Sequence, residues 1–343
     1  MNTRPVVAWL FLCALMVMAM VMIGAITRLT ESGLSMVEWR AMIDLLPPLN
    51  ARGWNEAFEK YKATPEYLLK NKGMELAAFQ QIYFWEWLHR LFGRLIGAVY
   101  ALPLAYFWLR GQLPQRLKTP LLLLLLLGGV QGFFGWYMVK SGLVNEPRVS
   151  HYRLALHLMT ALLLFAGLLS QGLRILPRLH MKLKQYPLNV AARQLQPHAW
   201  IAVIVAGLTI IWGAFVAGLD AGLIYNEFPT MGGKWIPSEF LFQEPWWMNF
   251  FSNHATVQWT HRVLAMVSFV TVFSLGLRAI WTRQHTVRKF GHALAGMIFL
   301  QVVLGVGTLL THVHLHVAVT HQLGAVLIVA FLTGLLTVLR LKP

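Results

Sequence analysis

The chain has 343 residues, of which 57% are hydrophobic and only 12% are charged, and its mean hydropathy is +0.57. This composition excludes an ordinary soluble domain and indicates an integral membrane protein. The formal net charge of +16 would suggest a nucleic-acid partner in a soluble chain. Here we expect no nucleic acid, because the distribution of the charge indicates membrane topology instead.

Apolar stretches of about 20 residues, the length at which a helix spans a bilayer, occur eight times along the chain. Cys13 is the only cysteine and falls within the first stretch, so no disulfide or cysteine-based metal motif can form within the chain. We predict an all-α integral membrane protein with eight transmembrane helices, near residues 6–27, 82–109, 119–139, 150–173, 198–219, 254–280, 291–311 and 316–339.

Basic residues are concentrated in alternate connections between the predicted helices. Segments 110–118, 174–193 and 278–289 carry 12 lysines and arginines and no acidic residue. The positive-inside rule places these three segments, and with them both termini, in the cytoplasm. The other connections then lie outside, including the long one between the first and second helices.

An internal repeat divides the chain into halves of four predicted helices, residues 1–185 and 186–343. Each half has an even number of spans, so the two halves share one orientation. This predicts two tandem, pseudo-symmetric four-helix bundles side by side. The matched pairs include Gly24 with Gly213, Glu31 with Asp220, His89 with His261, Gln131 with Gln301, and His157 with His321.

Four histidines lie inside the even-numbered predicted helices, each about seven residues from the outer end. An imidazole in hydrocarbon is costly, so such a histidine is a candidate functional residue. Histidines on facing helices of a bundle can hold a heme iron between them. We therefore predict two heme sites near the outer side, one for each half. For any one histidine alone, the alternative is a hydrogen bond to a neighbouring helix. The predicted pairs are His89 with His157 and His261 with His321.

Glu86 is the only acidic residue within a predicted span, and it shares a helical face with His89 three residues later. Its counterpart in the second half is Gln258. A carboxylate at this position can take a proton or stabilise developing positive charge. We therefore expect a substrate in the first half and a permanent cofactor in the second. The alternative is that Glu86 pairs with Arg90 or Arg94.

Arg90, Arg153 and Arg262 lie close to the histidines in sequence and near the outer helix ends. They are candidate contacts for heme propionates, or alternatively anchors at the lipid headgroups. A di-iron site would need a second Glu-x-x-His motif and two further helical glutamates, which the predicted spans lack. The His-Glu-x-x-His motif of zinc proteases is also absent from the sequence.

Five segments together resemble the heme A synthase family, and they extend over essentially the whole chain. They are EWLHRLFGRLIG at 86–97, GGVQGFFGWYMVKSGL at 128–143, SHYRLALHL at 150–158, AGLDAG at 217–222 and HQLGA at 321–325. The resemblance implies oxidation of a ring methyl of heme O to a formyl group, by successive hydroxylations and loss of water, to give heme A for a terminal oxidase.

The same resemblance implies roles for the residues at the two sites. Heme b would lie between His261 and His321, and the substrate heme O between His89 and His157, with Glu86 as the essential acid. The first outer connection lacks the cysteine pair of some members, so the chain resembles the mitochondrial and proteobacterial branch, which implies a bacterial inner membrane. The implied partners are heme O synthase, which delivers the substrate, an unidentified electron donor and membrane lipid.

Two other functions fit the four histidines. A di-heme b-type transmembrane electron carrier, oxidising quinol or a similar donor, would use the same residues but would favour hemes at opposite depths. A heme transporter or assembly chaperone would show no redox turnover. Small-residue spacings such as Gly93-x-x-x-Gly97 favour close helix packing, within one chain or in a homo-oligomer.

Overall fold

The computed structural model describes residues 3–38, 45–142 and 149–341. In that part of the chain, eight helices are long and apolar enough to cross a membrane, and there is no strand. The prediction of an all-helical, multi-pass membrane protein is confirmed. The helices are α1 (Arg4–Leu29), α2 (Leu76–Leu109), α3 (Gln115–Gly142), α4 (His151–Arg174), α5 (Gln196–Gly218), α6 (His254–Trp281), α7 (His285–Leu310) and α8 (Leu315–Arg340).

Shorter helical segments lie in the connections between the long helices. Asn50 and Thr64 cap the first two of them, because each side chain accepts a hydrogen bond from a backbone N–H of the first turn. The segments are Ala51–Lys62, Pro65–Leu69, Pro177–Gln185, Val190–Arg193 and Asn249–Ser252, with 3-10 turns at Ala221–Leu223 and Trp246–Met248.

Helix α2 begins about two turns earlier than its hydropathy predicts, at Leu76. His89 therefore lies 13 residues inside its helix, whereas the other three histidines lie six or seven residues inside theirs. The expectation of one common distance is wrong for His89. The extra turns are stabilised by tertiary packing, since the buried ring of Phe79 stacks on Phe58 and Tyr61 at 5.0 and 5.1 Å between centroids.

The long helices contact one another in the same pattern in each half. In the first half, α1 and α3 each contact both α2 and α4. In the second half, α5 and α7 each contact both α6 and α8. The helices that carry the histidines therefore face each other across their group of four.

The two halves are joined through α4 and α8. Helix α4 packs on α5 and on α8, and α8 also packs on α1. At the end of the helices that the sequence analysis predicts to lie outside, which is called the outer end below, Arg28 donates hydrogen bonds to the carbonyl oxygen of Ala217 and, at 2.8 Å, to the carboxylate of Asp220. Asp220 and its repeat partner Glu31 both adopt the left-handed backbone conformation, with φ of 55° and 51°. The chain thus leaves α1 and α5 by the same backbone conformation.

Candidate heme-binding sites

Each of the four histidines lies against a glycine on the odd-numbered helix that precedes its own helix. A glycine leaves the backbone bare, so the imidazole can lie directly against the neighbouring helix. A Cβ would crowd the ring at three of the four glycines, and at Gly24 it would stand at ordinary contact distance. The pairs, with the shortest distance from the ring to the position that a Cβ would take, are His89 with Gly24 at 3.6 Å, His157 with Gly135 at 3.1 Å, His261 with Gly213 at 3.0 Å and His321 with Gly305 at 3.0 Å.

The structure brings the histidines together within each half. His89 and His157 are close enough for an electrostatic interaction, and so are His261 and His321. All four side chains are partly accessible, although each is held between helices. Paired imidazoles on facing helices can hold a heme iron between them.

In the second half, the hydrogen bonds of the histidines fit an iron-bound heme. Nδ1 of His261 is 3.1 Å from the carbonyl oxygen of Thr209, and an N–H that donates there leaves Nε2 as the nitrogen with a free lone pair. Nδ1 of His321 is buried and has no hydrogen-bond partner. Both rings therefore present nitrogens that the protein does not use, and both rest on glycines that a Cβ would crowd.

In the first half, the carboxylate of Glu86 has three hydrogen-bond or ion-pair contacts, one to each of three residues. One oxygen is 2.5 Å from the guanidinium of Arg90, so the alternative prediction of an ion pair between positions i and i+4 describes this contact correctly. The other oxygen accepts hydrogen bonds from Oγ of Ser35 and from the backbone N–H of Met36, each at 2.8 Å. Only 3% of the Glu86 side chain is exposed. The carboxylate thus ties the outer connection to α2 beside His89.

The second half repeats this contact with an amide instead of a carboxylate. Nε2 of Gln258 donates to the backbone carbonyl oxygen of Tyr225 at 2.9 Å, and the guanidinium of Arg262 donates to the same oxygen at 3.1 Å. Tyr225 stands at the position that the repeat assigns to Met36. The two halves share a scaffold here, and at this position only the first has a buried carboxylate.

The three arginines predicted to contact propionates bind backbone carbonyls of the outer segments. Arg90 donates to Met36 and Glu38 at 3.0 Å. Arg262 also donates to Thr230 at 2.9 Å, and its Nε is buried without a hydrogen-bond partner. The guanidinium of Arg153 lies 3.9 Å from the ring centroid of Tyr137, whose carbonyl it also contacts. Each arginine therefore positions an outer segment or a helix end.

Glu66 is a buried acid that sequence analysis did not identify. It lies in the short helix Pro65–Leu69, is 3% exposed and accepts a hydrogen bond from the hydroxyl of Tyr61 at 3.2 Å. Burial raises the pKa of this carboxyl from its ordinary value of 4.5 to about 7; the Tyr61 hydrogen bond lowers it, and the charge of Glu86 raises it. A glutamate in a polar outer connection gives no signal in the sequence that it will be buried.

The contacts of the histidines with glycines were also missed, although the repeat contained a signal for them. Gly24 and Gly213 are one matched pair of the repeat, and a second pair was not used. Gly135 and Gly305 stand four residues after Gln131 and Gln301, which the repeat aligns. One turn separates each glutamine from its glycine, so both face the same neighbouring helix. A search for glycines conserved between the halves would have found this pair.

Comparison with known proteins gives matches along nearly the whole chain. The family model described as "Cytochrome oxidase assembly protein" matches residues 7–333. A protein named "Heme A synthase" from Rhodospirillum centenum is 49% identical over 338 residues, which cover 98% of this chain and 89% of that protein. Proteins of the same name from Wolbachia pipientis subsp. Culex pipiens and from Brucella anthropi are 44% and 42% identical, covering 94% and 96% of this chain and 94% and 90% of their own lengths.

Proposed function

Because the chain belongs to the cytochrome oxidase assembly protein family, we propose that it is a heme A synthase, an enzyme of heme A biosynthesis. The proposed reaction is the oxidation of a ring methyl of heme O to a formyl group, by successive hydroxylations followed by loss of water. The enzyme is then an oxidoreductase acting on a CH3 group. The relatives' name supports the product, and the four paired histidines support a heme as the substrate.

The two heme sites have different roles in this proposal. Substrate heme O lies between His89 and His157 in residues 1–185, and heme b lies between His261 and His321 in residues 186–343. Heme b, when bound, supplies one-electron transfer. The contacts of His261 support this assignment, since its Nδ1 is fixed on Thr209 and its Nε2 is left for iron.

The observation that carries the division is the buried carboxylate beside only one of the two sites. Glu86 and Gln258 occupy equivalent positions and hold equivalent outer segments, but only Glu86 is a carboxylate. We propose that Glu86 takes up a proton, or stabilises positive charge, as the substrate methyl is oxidised. Its bonds to Arg90 and Ser35 hold the carboxylate in place for that role.

Arg90, Arg153 and Arg262 are the proposed propionate contacts. All three lie within about one turn of a histidine ligand: Arg153 stands four residues before His157, and Arg90 and Arg262 follow His89 and His261 directly. The buried Nε–H of Arg262, which has no acceptor in the protein, supports this role most directly. The carboxylate of a heme propionate that reaches this N–H would accept its hydrogen bond.

The proposed architecture is two tandem four-helix bundles in a bacterial inner membrane. Both termini are cytoplasmic, and the heme sites lie toward the outer side. The repeated contact pattern of the helices supports the two bundles, and the basic connections support the orientation. The proposed partners are heme O synthase as the source of substrate, an electron donor, membrane lipid and a second copy of the chain.

Substitution of single histidines tests the division between the sites. We expect His261→Ala to remove the resident heme b signal from the purified protein and His89→Ala to leave most of it. Absorption spectra of the reduced protein, normalised to protein concentration, measure both effects. Equal losses in the two variants would contradict the assignment of substrate and cofactor to different halves.

Substitution of the acid tests the chemistry. We expect Glu86→Ala to keep heme b and to stop formation of heme A, and Gln258→Ala is the matched control at the equivalent position. Hemes extracted from cells that express each variant are identified by mass. Production of heme A by Glu86→Ala at the level of the unchanged protein would refute the role of Glu86. Recovery of heme b alone from the unchanged protein would favour the di-heme electron carrier instead.

A further inference from the structure

Gln131 and Gln301 stand at aligned positions of the repeat, but their amides bind different atoms. Nε2 of Gln131 lies 3.3 Å from Nε2 of His157, a ring nitrogen. Nε2 of Gln301 instead donates to the backbone carbonyl oxygen of His321 at 3.0 Å. The amide of Gln131 therefore contacts an imidazole nitrogen, whereas the amide of Gln301 contacts a backbone oxygen.

The contact of Gln131 competes directly with iron. A neutral imidazole has one nitrogen that carries hydrogen and one with a free lone pair, and iron binds only the latter. When Nε2 of His157 accepts from the amide, the ring proton is on Nδ1, which is buried and has no partner. Iron can bind Nε2 only after the amide of Gln131 has moved away.

The residue three positions after each histidine explains why the two glutamines differ. In the second half this residue is Gly324, and a Cβ there would lie 2.0 Å from Oε1 of Gln301. Gln301 can therefore take this position only because residue 324 is a glycine. In the first half the equivalent residue is Thr160, which is buried and has a Cβ. A Cβ at this position would exclude the arrangement of Gln301 from the first half, and the amide of Gln131 lies at the ring of His157 instead.

We propose that Gln131 lowers the affinity of the first site for iron porphyrins, so that a bound porphyrin can exchange. In the second site, Gly324 leaves room for Gln301 to bind the backbone, so that the imidazole of His321 stays available and the porphyrin is retained. This inference deepens the proposed function, on which it rests, because a substrate must enter and a product must leave while a cofactor stays. The amide lowers the fraction of His157 that is ready to bind iron, and the apparent affinity falls by that fraction. A typical hydrogen bond corresponds to about a 2- to 10-fold effect.

The test is an equilibrium titration of the purified full-length protein with hemin, with apomyoglobin as the competitor. Two classes of site are expected, and His157→Ala identifies the weaker class by abolishing it. We expect Gln131→Leu to lower the dissociation constant of the weaker class by about 2- to 10-fold. Gln301→Leu is the matched control, and we expect it to leave the weaker class unchanged.

A second variant tests the steric cause and does not depend on the folding of the first. We expect Gly324→Thr to drive Gln301 off the backbone and to raise the dissociation constant of the tighter class. An unchanged or raised dissociation constant of the weaker class in Gln131→Leu would overturn the inference, because Gln131 would then assist heme binding. If hemin titration gives the expected shift but cells make no heme A, the proposed function fails while this inference stands. If heme A forms and the shift in the dissociation constant is absent, this inference fails while the proposed function stands.

Discussion

The contact between Gly305 and His321 allows a quantitative prediction for Gly305→Ala. The new Cβ would lie 3.0 Å from Cε1 of the imidazole, whereas carbon atoms pack at about 3.5–4.0 Å. The ring or helix α7 must therefore give way by a few tenths of an ångström. Overpacking of this kind costs about 1–3 kcal/mol. Because His321 is a proposed iron ligand, we expect heme b affinity to fall by about 5- to 150-fold.

The assay measures bound heme b for each polypeptide as the purified protein is diluted, together with the reduction potential of the heme that remains. Gly296→Ala is the matched control on the same helix, since a Cβ there meets nothing within 4 Å. Replacing glycine by alanine inside a helix favours the helix by about 0.5–1 kcal/mol, so the control should retain its heme. Equal heme content and equal potential in the two variants would refute the positioning role of Gly305.

Two further predictions concern the outer connections. Arg90→Gln leaves the buried carboxylate of Glu86 without its cation, and we expect the free energy of unfolding to fall by about 3–5 kcal/mol. Arg262→Gln is the control and should lose less stability, because Arg262 lies beside the neutral amide of Gln258. Equal unfolding temperatures of the two variants would argue against this reasoning. The raised pKa of Glu66, about 7 instead of 4.5, means that the folded protein binds the proton more tightly than the unfolded chain, so stability should fall by up to about 3 kcal/mol as pH rises from about 4.5 to about 7. Glu66→Gln should abolish that part of the pH dependence, measured as the unfolding temperature at pH 5 and pH 8, and an unchanged pH dependence would count against the buried carboxyl as its origin.

Hydropathy was sufficient to predict the eight helices, because a bilayer imposes a length and an apolar composition that few other structures share. It failed at the start of α2, where turns as far as Leu76 are stabilised by rings of the outer connection. Such packing joins residues far apart in sequence, and a window of hydropathy does not record it.

At the candidate sites, the sequence supplied the residue types but not their partners. The histidines and Glu86 were found because ionisable groups are rare in apolar stretches. The contact of Gln131 with His157, which we attribute to the Cβ of Thr160, becomes evident only when the helices are packed. The burial of Glu66 likewise depends on the fold of a connection that has no regular pattern.

The close agreement of the two scaffolds has a consequence for how such a protein can diversify. Glu86 with Gln258, and Thr160 with Gly324, are aligned positions at which the halves differ while the surrounding backbone contacts are alike. In the proposed division between substrate and cofactor, these few side chains distinguish the two sites without a change in the fold of either half. Exchange of the side chains between the two halves at these aligned positions is therefore expected to exchange the substrate and cofactor sites.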